Sequence, residues 1–535
     1  MTTVTGADKP AAADTTRVGG PYAWYVLGVL VVVYMFNFID RQIIAILAED
    51  IKRDLGISDT EIGFLYGTAF AIFYALFGIP LGRLADMWLR TRLLALGLTL
   101  WSGMTAVSGF ASSFAHLAFA RIGVGIGEAS ASPCAYSLLS DYFPKEKRAT
   151  VLAIYSGGLF LGGGVSLFIG GLIVDRWNAA YPETTLAPLG LAGWQAAFLA
   201  VGIPGLILAL LVALMKEPVR GAADGLVVAP EPKPWGKFWT ELTSVIPPLT
   251  LVHLFGIGGT RALTQNLMLA AGVAAAAYCM IAWTGDLPQW IAVGIGTYAV
   301  ASWVHSIRLR DKPTFALIWG TPAFVYAITG FGLISFSGYA LAVFTAPYAV
   351  RQFELPLAQV GLMVGGLAAA TGFLGVIAGG WLGDKLKAKG ATGRLWIGFA
   401  AAAVPAIPIL VMFTTDSLAL FYTMHAFVSL FGSMWVGVGA ATTQDLVLPR
   451  MRGAATATYL MAPTLLGLAL GPYFAGRVSK ALTATYGPAD ALAIGLMATL
   501  MALPVIAFCL WRVAVLLPQA EATRLDRARA AGEPA

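Results

Sequence analysis

Apolar positions in this chain come in long blocks, and polar ones fall in short clusters between them. Each block holds about 20 residues or more, enough for a helix to cross a hydrocarbon layer. The blocks predict helices at about 22–47, 60–82, 92–113, 116–140, 149–174 and 194–215. A second set of six is predicted at about 314–349, 356–383, 393–415, 417–443, 453–479 and 489–517. Between the sets, 216–313 opens as a charged, Pro-rich linker and then holds two further apolar runs, 262–283 and 288–307, joined by Gly285-Asp286-Leu287-Pro288. These runs predict an inserted hairpin at about 262–307 and about 14 spans in all. The alternative is 12 spans with an interfacial hairpin on the linker.

The polar clusters repeat. Gly82-Arg83-Leu84-Ala85-Asp86, followed by Arg90 and Arg92, returns 298 residues later as Gly380-Trp381-Leu382-Gly383-Asp384, followed by Lys385, Lys387 and Lys389. Asp141-Tyr142-Phe143-Pro144, followed by Arg148, returns as Asp445, Pro449 and Arg452. A repeat of this length, with charged hinges between apolar helices, is the pattern of a two-halved secondary transporter. The expected organisation is a tail at 1–21, a six-helix bundle at 22–215, the linker with its hairpin at 216–313, a second six-helix bundle at 314–517 and a tail at 518–535.

Composition supports a lipid-solvated chain: 58% of the 535 residues are hydrophobic and 12% are charged, about half the charged share of a soluble protein. The net charge of +6 does not form a nucleic-acid surface, because most cations fall in alternate loops, among them Arg83, Arg90, Lys145, Lys216, Arg310, Lys385 and Arg524. That bias predicts an inner-membrane protein with both termini in the cytoplasm. The first residues lack a short apolar core followed by a cleavage site, so no cleaved signal peptide and a disordered first tail are expected. Cys134, Cys279 and Cys509 stand singly in apolar stretches, which implies packing and neither a disulfide frame nor a metal site. There is no Gly-x-x-x-x-Gly-Lys-Ser/Thr and no nucleophile–base set, so neither P-loop ATP hydrolysis nor another catalysis is expected, and no cofactor.

Charges inside the apolar blocks are the candidate chemistry, since an intramembrane charge is costly and marks a cavity, an ion pair or a proton path. Asn37, Asp40 and Arg41 lie in the first helix. Arg41 shares a face with Asn37, whereas Asp40 points about 100° away and needs a partner from another helix. The fourth helix supplies Arg121, Gly125, Glu128 and Ser132 on one face, with Gly123, Gly125 and Gly127 letting a neighbour approach. Asp40, Glu128, Arg41 and Arg121 are the expected proton-coupling set; the competing reading is a permanent Glu128–Arg ion pair between helices 1 and 4. The second half has Tyr339 and Gly432 in the corresponding places. Gly82, Asp86, Arg92, Asp141, Arg148, Gly380, Asp384, Lys385 and Arg452 are expected to form a cytoplasmic latch made in one conformation and broken in the other. Asn37, Tyr155, Phe336, Tyr339, His425, Trp435 and Tyr459 are candidate cavity residues, with a hydrogen-bonded structural histidine the competing role for His425.

The loop Gly82–Arg92, the pattern Arg121-x-x-x-Gly125-x-Gly127 and the loop Asp141…Pro144…Arg148 resemble the signature motifs of the major facilitator superfamily. Asn37-Phe38-Ile39-Asp40-Arg41, Gly127-Glu128-Ala129 and Asp141-Tyr142-Phe143-Pro144 resemble its Spinster branch, in a bacterial form. The resemblance implies an all-α fold of two pseudo-symmetric six-helix bundles rocking about a central cavity. It also implies a lysophospholipid, sphingoid or other amphiphilic substrate, proton coupling in some relatives, and a role for Asp40, Arg41, Arg121 and Glu128. The inserted hairpin departs from the usual twelve-helix plan, and helix 5 lacks the Gly-Pro step of the antiporter signature. The anion:cation symporter branch, which takes organic acids with protons, resembles the first helix as well. A membrane receptor or scaffold is the reading from a different class. A monomer is expected, with a small substrate, protons and the bilayer as its partners.

Overall fold

The computed structural model describes residues 18–220, 232–448 and 451–533, and every regular element among them is a helix. The expected tail at 1–21 lies almost wholly outside the described residues, as does most of the Pro-rich start of the linker. In lipid, a helix satisfies its backbone groups internally, which accounts for the absence of sheet among these residues.

The first half is α1 (Pro21–Leu55), α2 (Asp59–Met87), α3 (Arg90–Ser108), α4 (Phe114–Glu128), α5 (Ala131–Tyr142), α6 (Lys145–Ala180) and α7 (Gly193–Ala213). The linker carries α8 (Pro234–Val245), the hairpin is α9 (Leu249–Thr284) with α10 (Leu287–Arg310), and α11 (Lys312–Ile318) follows. The second half is α12 (Pro322–Phe353), α13 (Leu357–Lys387), α14 (Leu395–Met412), α15 (Leu418–Gly432), α16 (Trp435–Asp445), α17 (Arg452–Tyr486) and α18 (Pro488–Ala522), closed by α19 (Arg524–Ala530). Twelve helical stretches among the described residues are long and apolar enough to cross a membrane. That set includes both helices of the hairpin and leaves out α3 and the broken α4–α5 unit, which occupy the third and fourth expected blocks.

Local chemistry sets the boundaries. Gly56 ends α1 in a left-handed conformation (φ 65°), and a Ser58/Glu61 capping box starts α2, with the Ser58 N–H donating to Glu61 at 2.8 Å. The expected fourth helix is broken after Glu128: the Ser130 hydroxyl donates to the Gly127 carbonyl at 2.9 Å, and Pro133 has no N–H to continue the ladder. Ser132 therefore lies beyond the break, off the continuous face read from the spacing. The tenth block breaks at the equivalent place, between Gly432 and Trp435, where the Ser433 hydroxyl is spent on the Leu430 and Gly372 carbonyls.

Three elements differ from the sequence expectation. The first helix of the hairpin begins at Leu249, and its first turns are set off by Gly259 (φ 63°), so charged Arg261 stands just past a bend. The linker contains α8, whose Phe238, Leu242 and Val245 are buried and whose Trp235 meets Trp88 edge to face at 4.9 Å. The second tail folds: α18 runs to Ala522, and α19 returns along α11, with Arg524 donating to the Asp445 carbonyl at 2.7 Å.

The halves meet along α2 with α17 and along α6 with α13. The Gly19 N–H donates to the Tyr142 carbonyl at 2.8 Å, and the Tyr142 hydroxyl to the Lys216 carbonyl at 2.5 Å, which gathers the starts and ends of the first half at one side, here the terminal end. At the far end Arg351 of α12 reaches across to Asp59 at 2.6 and 3.0 Å and to Glu49 at 2.6 Å. Lys52 (2.7 Å) and Ser479 (2.7 Å) hold the same Asp59 carboxylate. The Ala358 N–H donates to Asp175 at 2.9 Å beside them. Between described residues, the polar bonds joining the halves lie at this far end and in the middle of the bundle, with none at the terminal end.

Candidate functional site

Small residues on α4 bring its charges against their neighbours. A Cβ added to Gly125 would stand 2.6 Å from the Phe70 carbonyl of α2, and one on Gly127 would stand 2.7 Å from the Gly97 carbonyl of α3. Only glycine permits helices to approach this closely. Arg121 and Glu128, on the same helix, are thereby pressed against α1 and α2, and both are buried.

The ion pair joins α1 to α4: Arg41 Nη2 lies 2.7 Å from Glu128 Oε2, and the Asn37 amide faces the same carboxylate. The guanidinium also sits over the rings of Phe38 (4.8 Å), Phe70 (4.4 Å) and Tyr74 (5.2 Å). An arginine so enclosed retains attraction from the ring faces where water is excluded. Arg121 takes no carboxylate oxygen. Its Nη1 donates to the Asp40 carbonyl at 3.1 Å and its Nε to the Leu65 carbonyl at 3.3 Å, leaving Nη2 without a partner among the described residues.

Asp40 is fully buried, and neither carboxyl oxygen has a hydrogen-bond partner among the described residues. The Trp101 indole and the Thr105 hydroxyl of α3 face it, short of hydrogen-bond geometry and themselves unbonded. The partner that Asp40 needs from another helix is thus on α3, with the Arg121 charge nearby. The four charges form one cluster in which one carboxyl is bonded and the other is not.

Other candidate residues are dispersed. Tyr339 of α12 lies within electrostatic reach of Arg41 and brings the second half to the cluster. Gln42, one position beyond Arg41, accepts from the Tyr66 hydroxyl and donates to the Ala342 carbonyl of α12 at 3.4 Å. Tyr155 stacks on Tyr34 with ring centres 4.4 Å apart, within the first half. Phe336 packs against Phe474. His425 Nε2 is bonded to the Val364 carbonyl at 3.0 Å, tying α15 to α13. Trp435 stacks on Phe331, and Tyr459 points its hydroxyl at the Val436 carbonyl, both inside the core of the second half. Phe70, Tyr74, Trp101 and Thr105 were not singled out from sequence, because an aromatic or hydroxyl on an apolar helix looks the same whether it packs or serves a charge.

The duplicated loops form two equivalent clusters at the terminal end. In the first, buried Arg90 bonds Asp141, Glu217 (2.7 Å) and the Pro218 carbonyl (3.0 Å). In the second, Arg394 bonds Asp445 and Asp384, each at 2.8 Å, and Lys387 reaches Glu521 at 2.5 Å. Arg90, Asp141 and Glu217 match Arg394, Asp445 and Glu521 at the one offset of 304 residues. Asp86 lies among Arg83, Arg90 and Arg220, and the Arg220 guanidinium caps the Ala85 and Trp88 carbonyls. Gly82 and Gly380 lie on the last turns before these loops, and Arg92 and Arg452 are exposed. Lys385 stands over the Trp381 ring at 3.6 Å. The Arg148 side chain lies outside the described residues.

Comparison with known proteins decides the family, because the model of the Major Facilitator Superfamily matches residues 30–472. The chain belongs to the major facilitator superfamily. Within that superfamily it is Spinster-like. It is 28% identical over 505 residues to an MFS-type efflux pump of Mycolicibacterium smegmatis, covering 94% of this chain and 95% of that one. It is 23% identical over 471 residues to the sphingosine-1-phosphate transporter SPNS2 of Danio rerio, covering 86% of this chain and 77% of the relative. Its fold matches the crystal structure of a bacterial homologue of the human lysosomal transporter Spinster, inward-facing and unoccupied. The TM-score is 0.68 and the identity 25%, over 95% of this chain and 98% of that one. A major facilitator chain of this kind is a multi-pass membrane protein and a secondary transporter.

Proposed function

We propose that the chain is a proton-coupled transporter that moves an amphiphilic, lipid-like molecule or hydrophobic drug by alternating access. Asp40 is the proton site. The observation that carries this reading is the inequality of the two buried carboxyls. Protonating Glu128 breaks a 2.7 Å ion pair, whereas protonating Asp40 breaks no bond. Arg121 has a free Nη2 beside an Asp40 with free oxygens, so a change of rotamer would join them when Asp40 is charged. Proton occupancy at Asp40 then decides whether Arg121 adds a carboxylate bond to the one it already makes with the Asp40 carbonyl of α1. Through Gln42 and Tyr339 that choice is felt by α12 of the other half. A charge pair that can re-form is a two-state element, which coupling requires.

Kinship with a sphingosine-1-phosphate transporter over 86% of this chain supports an amphiphile, whereas the galactonate and hexuronate transporters among its relatives align with 33% of it. In this reading the terminal end faces the cytoplasm of the inner membrane, as the cation bias predicts. The Arg90 and Arg394 clusters are the two sides of the latch, open here and meeting when the far end parts. The chain works as a monomer.

Proteoliposomes loaded with a pH-sensitive dye test the proposal. Adding a fluorescent lysophospholipid should give substrate uptake together with a proton flux, and Asp40→Asn should abolish the flux. Uptake of hexuronate or galactonate with protons, and none of the lysolipid, would replace this substrate class by organic acids. Undiminished proton-driven uptake by Asp40→Asn would remove Asp40 from the coupling.

A further inference from the structure

The inserted hairpin does not lie flat against the bundle. Its turn is fixed at the far end, where the Tyr473 hydroxyl donates to Asp286 at 2.6 Å, Arg477 to the Thr284 carbonyl at 2.7 Å, and Thr68 to Gln289 at 2.7 Å. Towards the terminal end it stands off from the second half and leaves a cavity of about 550 Å³ between α10, α12 and α17, lined by such residues as Val300, Ala301, Met461 and Leu465. A second cavity of about 220 Å³ adjoins it and is lined by Arg261, Gln265, His305 and Arg308. His305 and Arg308 border both. Neither cavity touches the Asp40–Glu128 cluster.

Depth and charge identify what fits. Arg261 lies 23 residues before the end of α9 and Arg308 lies 21 residues after the start of α10. At 1.5 Å per residue that is about 32–35 Å from the turn, so both guanidiniums stand at the level of lipid headgroups. From Arg308 to Thr297, which borders the apolar cavity near mid-helix, is about 16 Å, roughly the depth of one leaflet. Neither Arg261 nor Arg308 meets a carboxylate among the described residues, although Arg310 beside them pairs with Glu241. Trp319, which lines the apolar cavity, has a buried indole N–H without an acceptor among the described residues. Arg308 also lies over the Phe315 ring at 5.7 Å. Two cations at headgroup depth without a carboxylate among the described residues, a stranded donor just inside and an apolar slot one leaflet deep describe one amphiphile.

We propose that this composite cavity is a binding site for an anionic phospholipid of the leaflet at the terminal end. The phosphate sits between Arg261 and Arg308, the ester region meets Trp319, and an acyl chain fills the slot between α10 and α17. Basic pockets between membrane helices recognise anionic headgroups in this way. The site is separate from the Asp40–Glu128 cluster and does not depend on the proposed substrate.

The full chain, purified in detergent and stripped of lipid, is offered equal amounts of phosphatidylglycerol and phosphatidylcholine with the same acyl chains, and retained lipid is counted by native mass spectrometry. About tenfold or greater preference for phosphatidylglycerol is expected from two cations at the membrane surface. Arg261→Gln with Arg308→Gln should erase the preference, and Ala301→Trp, which fills the slot, should lower retention of both lipids. Should Ala301→Trp fail to fold, Val304→Trp replaces it. A double glutamine variant that keeps the preference, or a filled slot that keeps its lipid, overturns the site. Displacement of phosphatidylglycerol by millimolar glycerol 3-phosphate overturns the lipid assignment in favour of a soluble phosphate.

Discussion

The fourth helical unit of the first half and its counterpart in the second are built alike and filled differently. Both break at the same point of the repeat, after Glu128 in α4 and after Gly432 in α15, and in both a serine hydroxyl turns back to a carbonyl at the break. Glu128 enters an ion pair with Arg41, among four charges and three aromatic rings. Gly432 faces open space, with no atom within 4 Å of where a Cβ would be. Duplication has thus preserved the backbone bend in both halves while only one carries ionic chemistry. The bend is a property of the fold, and the charge is a property of the task.

That contrast can be broken by taking the charge apart. Arg41→Ala leaves Glu128 as a buried, unpartnered carboxylate, which costs about 3–5 kcal/mol in comparable settings. The variant should lose uptake altogether and melt well below the parent in a thermal unfolding assay, and Arg41→Ala with Glu128→Gln should recover much of the melting temperature. Equal melting of the single and double variants would show that the unpartnered Glu128 carries no penalty. Asp40→Asn should behave differently. It breaks no bond, so the melting temperature should stay near that of the parent while proton-driven accumulation falls by about tenfold or more, each tenfold being ~1.4 kcal/mol of lost coupling. A large fall in melting temperature instead would mark Asp40 as structural.

The terminal clusters sharpen the same comparison at lower energy. Arg90 is fully buried with five hydrogen bonds to Asp141, Glu217, Ser137 and Pro218, whereas Arg394 is partly exposed and holds two carboxylates. Arg90→Ala should therefore destabilise by about 3 kcal/mol or more, and Arg394→Ala by about 1 kcal/mol. Chemical or thermal unfolding of the two variants side by side checks the order, and equal losses would mean that burial does not set the difference. Smallest are Asp86→Asn and Asp384→Asn at the exposed rim, each expected to slow lysolipid uptake a few-fold with melting unchanged. Parent-like uptake by the double variant would remove both from the latch.

The periodic part of this molecule was legible and the broken part was not. Long apolar blocks announced the helices because the pattern recurs block after block, and the offset near 300 residues announced the duplicated loops because two separate pairs of loops share it. The charges Asp40, Arg41, Arg121 and Glu128 stood out because lipid tolerates few of them, and they do share one buried cluster. A Glu128–Arg pair between helices 1 and 4 was one of the two readings and is the pair found, with Arg41, whereas the surroundings of Asp40 could not be read. Spacing put Ser132 on the face of Glu128, but Pro133 and the Ser130 hydroxyl end the helix first. Trp101 and Thr105, which face Asp40, sit on α3 at no recognisable spacing from it. Helix α8 was hidden in a linker whose prolines and charges outweighed its short apolar face. The Asp59–Arg351 junction leaves no mark in the sequence, because its partners lie 292 residues apart at helix ends, where charges are ordinary.

That junction has a consequence for fidelity. Asp59 is gripped at once by Arg351, Lys52 and Ser479, and Arg351 also grips Glu49. Losing one of these contacts leaves the rest in place, so small fluctuations at the far end do not add up to a gap. The seal parts only when Arg351 leaves both carboxylates and Ser479 leaves Asp59, a step that requires α12 and α17 to move together. A carrier sealed in this manner opens at its far end in one step and not by fraying, because the contacts that close it converge on the two neighbouring carboxylates Asp59 and Glu49.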